Sequence, residues 1–207
     1  MNRFQLCVKR IIDIWGSFVG IVILSPIFLL IAIMIYIIMP GPIFFMQRRV
    51  GKDGKVFRVF KFRSMKVNKA AEETFDTTMD EARLTSFGRL IRRVKIDELP
   101  QLLNVLLGDM SLVGPRPALQ MDIDGFSQAQ KKRLDMKPGM TGLAQVSGNI
   151  TLSWDERVKY DLYYIHNHSL WLDAKIILRT ILIIIFGEEK FTRRFDADNI
   201  VLFRSRK

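Results

Sequence analysis

The sequence predicts an α/β fold that is mostly helical with a small β-hairpin element, an N-terminal re-entrant membrane helix and interfacial amphipathic helices. Residues 11–39 form a nearly uninterrupted apolar run, and residues 43–65 alternate apolar and basic side chains around a glycine-containing turn. Most of the later chain has apolar residues at helical spacing. Because 207 residues can bury one substantial core but hardly two, we expect a single globular unit beside the membrane segment.

The composition is strongly basic, with a formal net charge of +11 and a pI near 10.0. The positive electrostatic field of such a protein would attract nucleic acid, anionic lipid headgroups or phosphorylated substrates about equally. A single cysteine, Cys7, excludes an intrachain disulfide and a cysteine-based zinc site. The chain has neither a dinucleotide-binding glycine fingerprint nor a Walker loop, so it gives no support for hydride transfer, ATP-driven chemistry or a Rossmann domain.

The apolar run of residues 11–39 is longer than the ~20 residues that a spanning helix needs. Basic residues flank it on both sides: Arg3, Lys9 and Arg10 before it, and Arg48, Arg49, Lys52 and Lys55 after it. Because such residues favour the cytoplasmic face, one pass cannot satisfy both ends. Ser25-Pro26 lies near the middle, where proline can bend a helix sharply. We therefore favour re-entry through one face, with a mildly kinked spanning helix as the alternative.

The alternating segment, residues 43–65, predicts a β-hairpin that turns at Gly51-Lys52-Asp53-Gly54. Lys61 and Arg63 are two residues apart, so both project from one face of a strand. That cationic face suits a diphosphate or lipid headgroups, and an ordinary solvated face is the alternative. The polar residues 67–78 that follow predict a surface loop.

Residues 79–94 predict a helix with Arg89, Arg92 and Arg93 in its last turns. Arginines there usually interact with the helix dipole, but Arg92 is also close enough to Asp97 to clamp a phosphate. Residues 96–107 predict a second helix, in which Pro100 is tolerated only in the first turn.

The adjacent carboxylates Asp97 and Glu98 would then lie at the positive end of that helix dipole. Acidic residues are common in a first helical turn, so the pair alone is weak evidence for catalysis. About a dozen residues on, Pro115 and Pro117 fix the backbone on either side of Arg116. A guanidinium held in this way suits bidentate binding of a phosphate.

The C-terminal part predicts helices over residues 154–166 and Leu170–Phe186. Asp173, Lys175 and Arg179 argue against a second membrane span, and the two cations are four residues apart on one helical face. We predict an interfacial helix, with a buried core helix that has a charged rim as the alternative. The glycine-rich residues 138–148 permit close backbone approach to a ligand, or form a structural turn.

Four segments, residues 60–65, 92–105, 108–117 and 137–148, together resemble the monotopic polyprenyl-phosphate phosphoglycosyl transferases, or bacterial sugar transferase family, in its small single-domain form. The resemblance runs over about residues 9–186. It implies a re-entrant helix in residues 1–40 that is broken at Ser25 and Pro26, a catalytic domain with interfacial helices in residues 41–187, and a tail in residues 188–207.

The resemblance also implies a reaction. Asp97 would attack the β-phosphate of a UDP-sugar, release UMP and hold the phosphosugar until polyprenyl (undecaprenyl) phosphate displaces it as a polyprenyl diphosphosugar. Mg²⁺ would lie at Asp97 and Glu98, because hard oxygen ligands suit that ion. The candidates for binding the substrate phosphates are Lys61, Arg63, Arg92 and Arg116.

The implied setting is the cytoplasmic face of a bacterial inner membrane, with membrane lipid as a partner, no nucleic acid, and downstream glycosyltransferases allowed as partners. The alternative is a non-catalytic, basic, membrane-anchored protein that binds anionic lipid or nucleic acid. Acidic residues inside the basic region argue against that alternative, and the intact Asp97-Glu98 pair argues against an inactive relative. The sequence identifies neither the sugar nor the pathway.

Overall fold

A computed structural model describes residues 3–67 and 80–187 of the chain. Helices predominate among these residues, as predicted. In chain order the elements are α1 (Arg3–Ile38), β1 (Phe44–Val50), β2 (Val56–Phe62), α2 (Asp80–Arg83), α3 (Ser86–Arg93), α4 (Gln101–Leu107), β3 (Ser111–Val113), α5 (Gln120–Asp124), α6 (Gln128–Lys131), β4 (Gly139–Thr141), α7 (Leu143–Ser147), α8 (Trp154–Asn167) and α9 (Leu170–Phe186). Short 3₁₀ helices cover Lys52–Gly54, Ile96–Glu98, Lys132–Asp135 and Asn149–Thr151.

The N-terminal helix α1 is continuous and contains Pro26. Proline has no N–H to donate to the carbonyl of Val22, one turn earlier. The hydroxyl of Ser25 donates to that carbonyl instead, at 2.8 Å. Among the described residues α1 alone is long and apolar enough to cross a membrane.

The first half of α1 is fastened to the globular domain by polar contacts. Lys9 Nζ donates to Asp173 Oδ2 in α9 at 2.7 Å. Arg10 donates to two carbonyls at the end of α4, at 2.6 and 2.9 Å. The carboxylate of Asp13 accepts bonds from the Ser111 hydroxyl and the Leu112 N–H at the start of β3.

The second half of α1 is fastened by apolar contacts. Ile31 and Ile35, together with Met39 just after the helix, are buried in one cluster with Phe62 of β2 and Ile91 of α3. Both halves of the helix therefore pack against the same domain.

Strands β1 and β2 form the predicted antiparallel hairpin, with Phe44 opposite Phe62 and Val50 opposite Val56. The turn uses left-handed backbone at Asp53 and Gly54. Strands β3 and β4 pair in parallel. A Cβ atom at Gly139 of β4 would lie 2.1 Å from the backbone nitrogen of Gly114, so the glycine-rich segment makes its close approach to the chain's own backbone.

Two of the predicted helices are broken in the structure. Within residues 79–94 the described part forms α2 and α3, because Thr85 caps α3 by accepting a bond from the N–H of Gly88 at 2.9 Å. Within residues 96–107, Asp97 and Glu98 lie in a separate 3₁₀ turn, and Pro100 occupies the N-cap position of α4, just before its first turn. The loop predicted at residues 67–78 falls almost wholly, and the tail at residues 188–207 entirely, outside the described residues.

The helices predicted at residues 154–166 and Leu170–Phe186 are confirmed as α8 and α9. One face of α9 is buried with α7 and α8 in the largest apolar cluster. Its other side exposes a series of large apolar residues: Trp171, Leu178, Ile181, Ile184, Ile185 and Phe186. The helix thus has a buried face, as the core-helix alternative predicts. It also has the exposed apolar surface that an interfacial helix needs.

Candidate active site

A cavity of about 650 Å³ opens beside the hairpin. Its walls come from β1, β2, the segment between α3 and α4, the loop after β3, and helices α7 and α9. It is lined by all six residues that the sequence predicts for chemistry and phosphate binding: Lys61, Arg63, Arg92, Asp97, Glu98 and Arg116. Ser25 and Pro26 lie in α1 and are not among the residues of this lining.

Glu98 is held by two cations that come from distant parts of the chain. Lys61 Nζ contacts Glu98 Oε1 at 2.7 Å, and an Arg116 terminal nitrogen contacts the same oxygen at 3.1 Å. Burial acts to raise the pKa of Glu98, but the charges of Arg116 and Lys61 outweigh it and lower the pKa to about 2. Glu98 is therefore an anion at every physiological pH.

Asp97, its neighbour, has the opposite environment. The residue is only 8% exposed. Burial and the charge of Glu98 raise the pKa of Asp97 to about 6, against the opposing charges of Lys61 and Arg92. Two adjacent carboxyl groups with separated pKa values suit two different tasks in one site.

Two of the predicted arginines also support the walls of the cavity. Arg92 Nε donates to the Ser64 hydroxyl at 2.8 Å, which ties the end of α3 to the segment after β2. Arg63 is buried, and its guanidinium donates to the carbonyl of Met39, just after α1. Arg63 thus joins the hairpin to the end of α1, whereas its predicted contact with phosphate stays a prediction.

Several residues of the cavity were not predicted from the sequence. Three are further cations, Arg49, Arg83 and Lys95, and three are uncharged polar residues, Gln145, Asn149 and Thr180. The sequence could have pointed to Arg49, because its side chain lies on the same strand face as that of Gln47 in the alternating segment. Burial and the nearby Arg116 lower the pKa of Arg49 to about 10. The other residues become neighbours only through the fold.

Few side chains of the described residues could ligate a magnesium ion in this cavity. Within residues 3–67 and 80–187 no group of three His, Cys, Asp or Glu side chains converges to hold a metal. Asp97 and Glu98 supply two carboxylates, and one oxygen of Glu98 already accepts from two cations. Magnesium typically uses one or two carboxylates and completes its coordination with water and substrate phosphates. The residues therefore fit Mg²⁺ only together with a phosphorylated substrate.

Part of the cavity lining is apolar. It includes Met140, Val146, and Ile183 and Ile184 of α9. Ile183 is buried, whereas Ile184 is 52% exposed and belongs to the exposed apolar surface of α9. The cavity lining therefore combines cationic side chains, which suit phosphate groups, with apolar ones, of which Ile184 also belongs to the exposed surface of α9.

Residues 4–187 match the family described as bacterial sugar transferase. The chain is 42% identical over 204 residues to the galactosyl transferase CpsE of Streptococcus agalactiae serotype III (strain NEM316), covering 88% of this chain and 43% of that protein. It is 40% identical over 186 residues to the UDP-N-acetylgalactosamine-undecaprenyl-phosphate N-acetylgalactosaminephosphotransferase of Aeromonas hydrophila, covering 87% and 44%.

The uncharacterized sugar transferase EpsL of Bacillus subtilis (strain 168) is 39% identical over 183 residues, which cover 88% of this chain and 90% of that protein. The chain thus spans less than half the length of the first two relatives and nearly all of the third. The family match covers most of the chain and includes every residue of the cavity. The chain belongs to the bacterial sugar transferase family.

Proposed function

We propose that the chain is a phosphoglycosyl transferase, which moves a phosphosugar from a UDP-sugar to polyprenyl (undecaprenyl) phosphate and yields a polyprenyl diphosphosugar and UMP. This would be the first membrane step of a bacterial glycan pathway. The observation that carries the proposal is the buried Asp97 beside the cation-held Glu98 in a cavity lined by arginines. The name of the Aeromonas relative, which specifies a UDP-sugar and undecaprenyl phosphate, supports the same substrate classes.

Asp97 is the proposed nucleophile of the first step. A carboxylate oxygen attacks the β-phosphorus of the UDP-sugar and forms an acyl phosphate. The bond from the β-phosphorus to the bridging oxygen breaks, and UMP leaves with that electron pair. Because burial and Glu98 raise the pKa of Asp97 to about 6, its carboxylate is more basic than an ordinary one yet still mostly ionised at neutral pH.

The second step regenerates the enzyme. A phosphate oxygen of polyprenyl phosphate attacks the same phosphorus, the bond to the Asp97 oxygen breaks, and the carboxylate is restored. The apolar wall at Ile183 and Ile184 supports this acceptor, because a lipid phosphate needs a cationic end and an apolar path in the same cavity. Two successive displacements allow one cavity to serve a polar donor and a lipid acceptor in turn.

The cations have separate tasks in this scheme. Lys61 and Arg116 hold Glu98 and face the donor diphosphate, and Arg92 extends the cationic wall. Asp97 and Glu98 would hold Mg²⁺ together with the diphosphate oxygens, and the ion would supply further positive charge as the phosphate bond breaks. Pre-set positive charge around the transferred phosphoryl group lowers the barrier of its displacement.

Re-entry of α1 from the cytoplasmic face of the inner membrane is part of the proposal. Lys9 and Ile35 are 26 residues apart, which corresponds to about 39 Å of straight helix. That length exceeds the roughly 30 Å of a bilayer's hydrocarbon core. Because both residues pack against the same domain, a spanning α1 would force that domain through the bilayer, whereas a re-entrant one leaves it on a single face.

The test is the mass of the intact protein after the detergent-solubilised protein is incubated with Mg²⁺ and a panel of UDP-sugars, without lipid acceptor. We expect a gain of one phosphosugar and release of UMP with the correct donor. Asp97→Asn abolishes both, whereas Asp109→Asn, at an exposed aspartate, leaves them unchanged. Added polyprenyl phosphate then removes the adduct. Absence of any adduct and of UMP with every donor would instead favour the non-catalytic, basic binding protein.

A further inference from the structure

The loop that carries Arg116 is anchored through its carbonyl groups. Pro115 and Pro117 have no N–H, so the loop has few donors of its own. Three of its carbonyls accept bonds from other segments: that of residue 115 from the N–H of residue 139 at 2.8 Å, that of residue 117 from the Arg49 guanidinium at 3.4 Å, and that of residue 118 from the N–H of residue 50 at 3.0 Å. The remaining carbonyl, of Arg116 itself, is held by a buried arginine.

That arginine is Arg133, in the 3₁₀ helix Lys132–Asp135. One terminal nitrogen donates to the Arg116 carbonyl at 2.8 Å and to Asp161 Oδ2 of α8 at 2.6 Å. The side chains of Arg133 and Asp161 are 4% and 2% exposed. The guanidinium carbon also lies 5.5 Å from the ring centres of both Phe126 and Trp154. An ion pair and two rings therefore fix the donor that holds the Arg116 carbonyl.

Arg133 lies behind the loop and is not part of the cavity lining. The Arg116 side chain on the other side is 45% exposed and contacts Glu98 at 3.1 Å. An exposed arginine keeps a defined direction only if its backbone is fixed, because its long side chain has many rotamers. The Arg133 contact supplies that restraint at the residue whose direction matters.

We propose that Arg133, held by Asp161, is a positioning residue that fixes the backbone of Arg116 so that its guanidinium meets Glu98 and the donor diphosphate. The inference rests on the proposed function. A buried ion pair seldom stabilises a fold more than a packed apolar pair would, so stability alone does not account for these charges. A terminal guanidinium nitrogen has two N–H groups, one for each acceptor, in a planar geometry that lysine lacks.

The experiment is a double-mutant cycle. For each variant, the rate of UMP release is measured at increasing concentrations of the UDP-sugar. The charge-free pair Arg133→Met with Asp161→Leu removes both buried charges at once, and the same pair is built in an Arg116→Ala background. We expect the pair to lower kcat/KM between about tenfold and about a hundredfold in the wild-type background, with most of the loss in KM for the donor. In the Arg116→Ala background we expect less than about a twofold further loss, because coupled residues are not additive.

Lys132→Met is the matched control, since Lys132 is the adjacent cation and is exposed. It should leave kcat/KM unchanged. If circular dichroism shows that the charge-free pair does not fold, Arg133→Lys carries the same cycle, because it keeps the charge but loses the planar guanidinium that lies over Phe126 and Trp154. An equal loss of kcat/KM in both backgrounds would overturn the positioning role of Arg133 but not the proposed function. No UMP release by the wild-type protein with any donor would overturn the proposed function and this inference with it.

Discussion

Asp97 and Glu98 are neighbours in the chain, yet their carboxyl groups have pKa values of about 6 and about 2. The difference arises from the partners that the fold provides. Lys61 of β2 and Arg116 of the loop after β3 both converge on Glu98, and Asp97 is left buried beside the resulting anion. The pair alone predicts acid chemistry, but only the fold divides the tasks between the two residues.

The first prediction concerns protonation of Asp97 in the magnesium-free protein. A hydrophobic carbodiimide modifies protonated carboxyl groups, so labelling of Asp97 should rise as the pH falls through about 6. Replacing Glu98 with glutamine removes a negative charge that raises the pKa of Asp97, and the midpoint should then move to lower pH. Peptide mass spectrometry locates the label.

Asp97→Asn is the control, because it removes the carboxyl group and should abolish the label at this position at every pH. If Mg²⁺ binds at Asp97, adding it should also lower the Asp97 midpoint. A labelling midpoint for Asp97 near the ordinary aspartate value of about 3.9 would contradict the buried environment described here.

The sequence identified six residues that line the cavity, because each lies in a short segment with an unusual local pattern. Arg116 lies between two prolines, and Lys61 has a fixed strand face. It missed Thr180 entirely, and it did not single out the Gln145 side chain, although residues 138–148 were predicted to permit close approach to a ligand. Their position in the cavity depends on how α7 and α9 pack, and no local pattern encodes that packing.

At the scale of elements, the hairpin, α8 and α9 were predictable because their apolar periodicity is long and regular. The helices around the site were predicted too long. Thr85 is a better N-cap than an internal helix residue, and it separates α3 from α2. Pro100 lacks an N–H and occupies the N-cap position of α4, so Asp97 and Glu98 lie in their own 3₁₀ turn before it.

The packing of α3 gives the second prediction. A Cβ atom at Gly88 would lie 1.8 Å from the carbonyl oxygen of Ser64, so Gly88→Ala must push α3 away from the segment after β2. The same movement would break the bond from Arg92 to Ser64. We expect a loss of about 1–3 kcal/mol in the free energy of unfolding and weaker binding of the UDP-sugar.

Thermal unfolding in detergent and donor titration measure the two effects. Gly125→Ala is the matched control, because its Cβ would have ordinary contact at 3.7 Å and its backbone is helical. It should change neither quantity measurably. An unaltered unfolding midpoint for Gly88→Ala would contradict the close packing of α3 against Ser64.

For the whole molecule, the main question is how α1 and the domain share a membrane. The flanking charges and Pro26 favour re-entry, and the structure adds contacts along both halves of the helix. At Pro26 the Ser25 hydroxyl bonds to the carbonyl that proline leaves without a donor, so the helix keeps its hydrogen bonding there. α9 exposes apolar residues along one side, and we propose that this side binds the same face of the membrane.

The third prediction uses Cys7, the only cysteine, which is exposed near the start of α1. A membrane-impermeant maleimide should label it in inverted membrane vesicles but not in spheroplasts, because re-entry keeps the N-terminus on the cytoplasmic face. The variant Cys7→Ser with Lys55→Cys reports on the exposed turn of the hairpin and should give the same pattern. A spanning α1 would place the two positions on opposite faces, so labelling of one in spheroplasts and of the other in vesicles would refute re-entry.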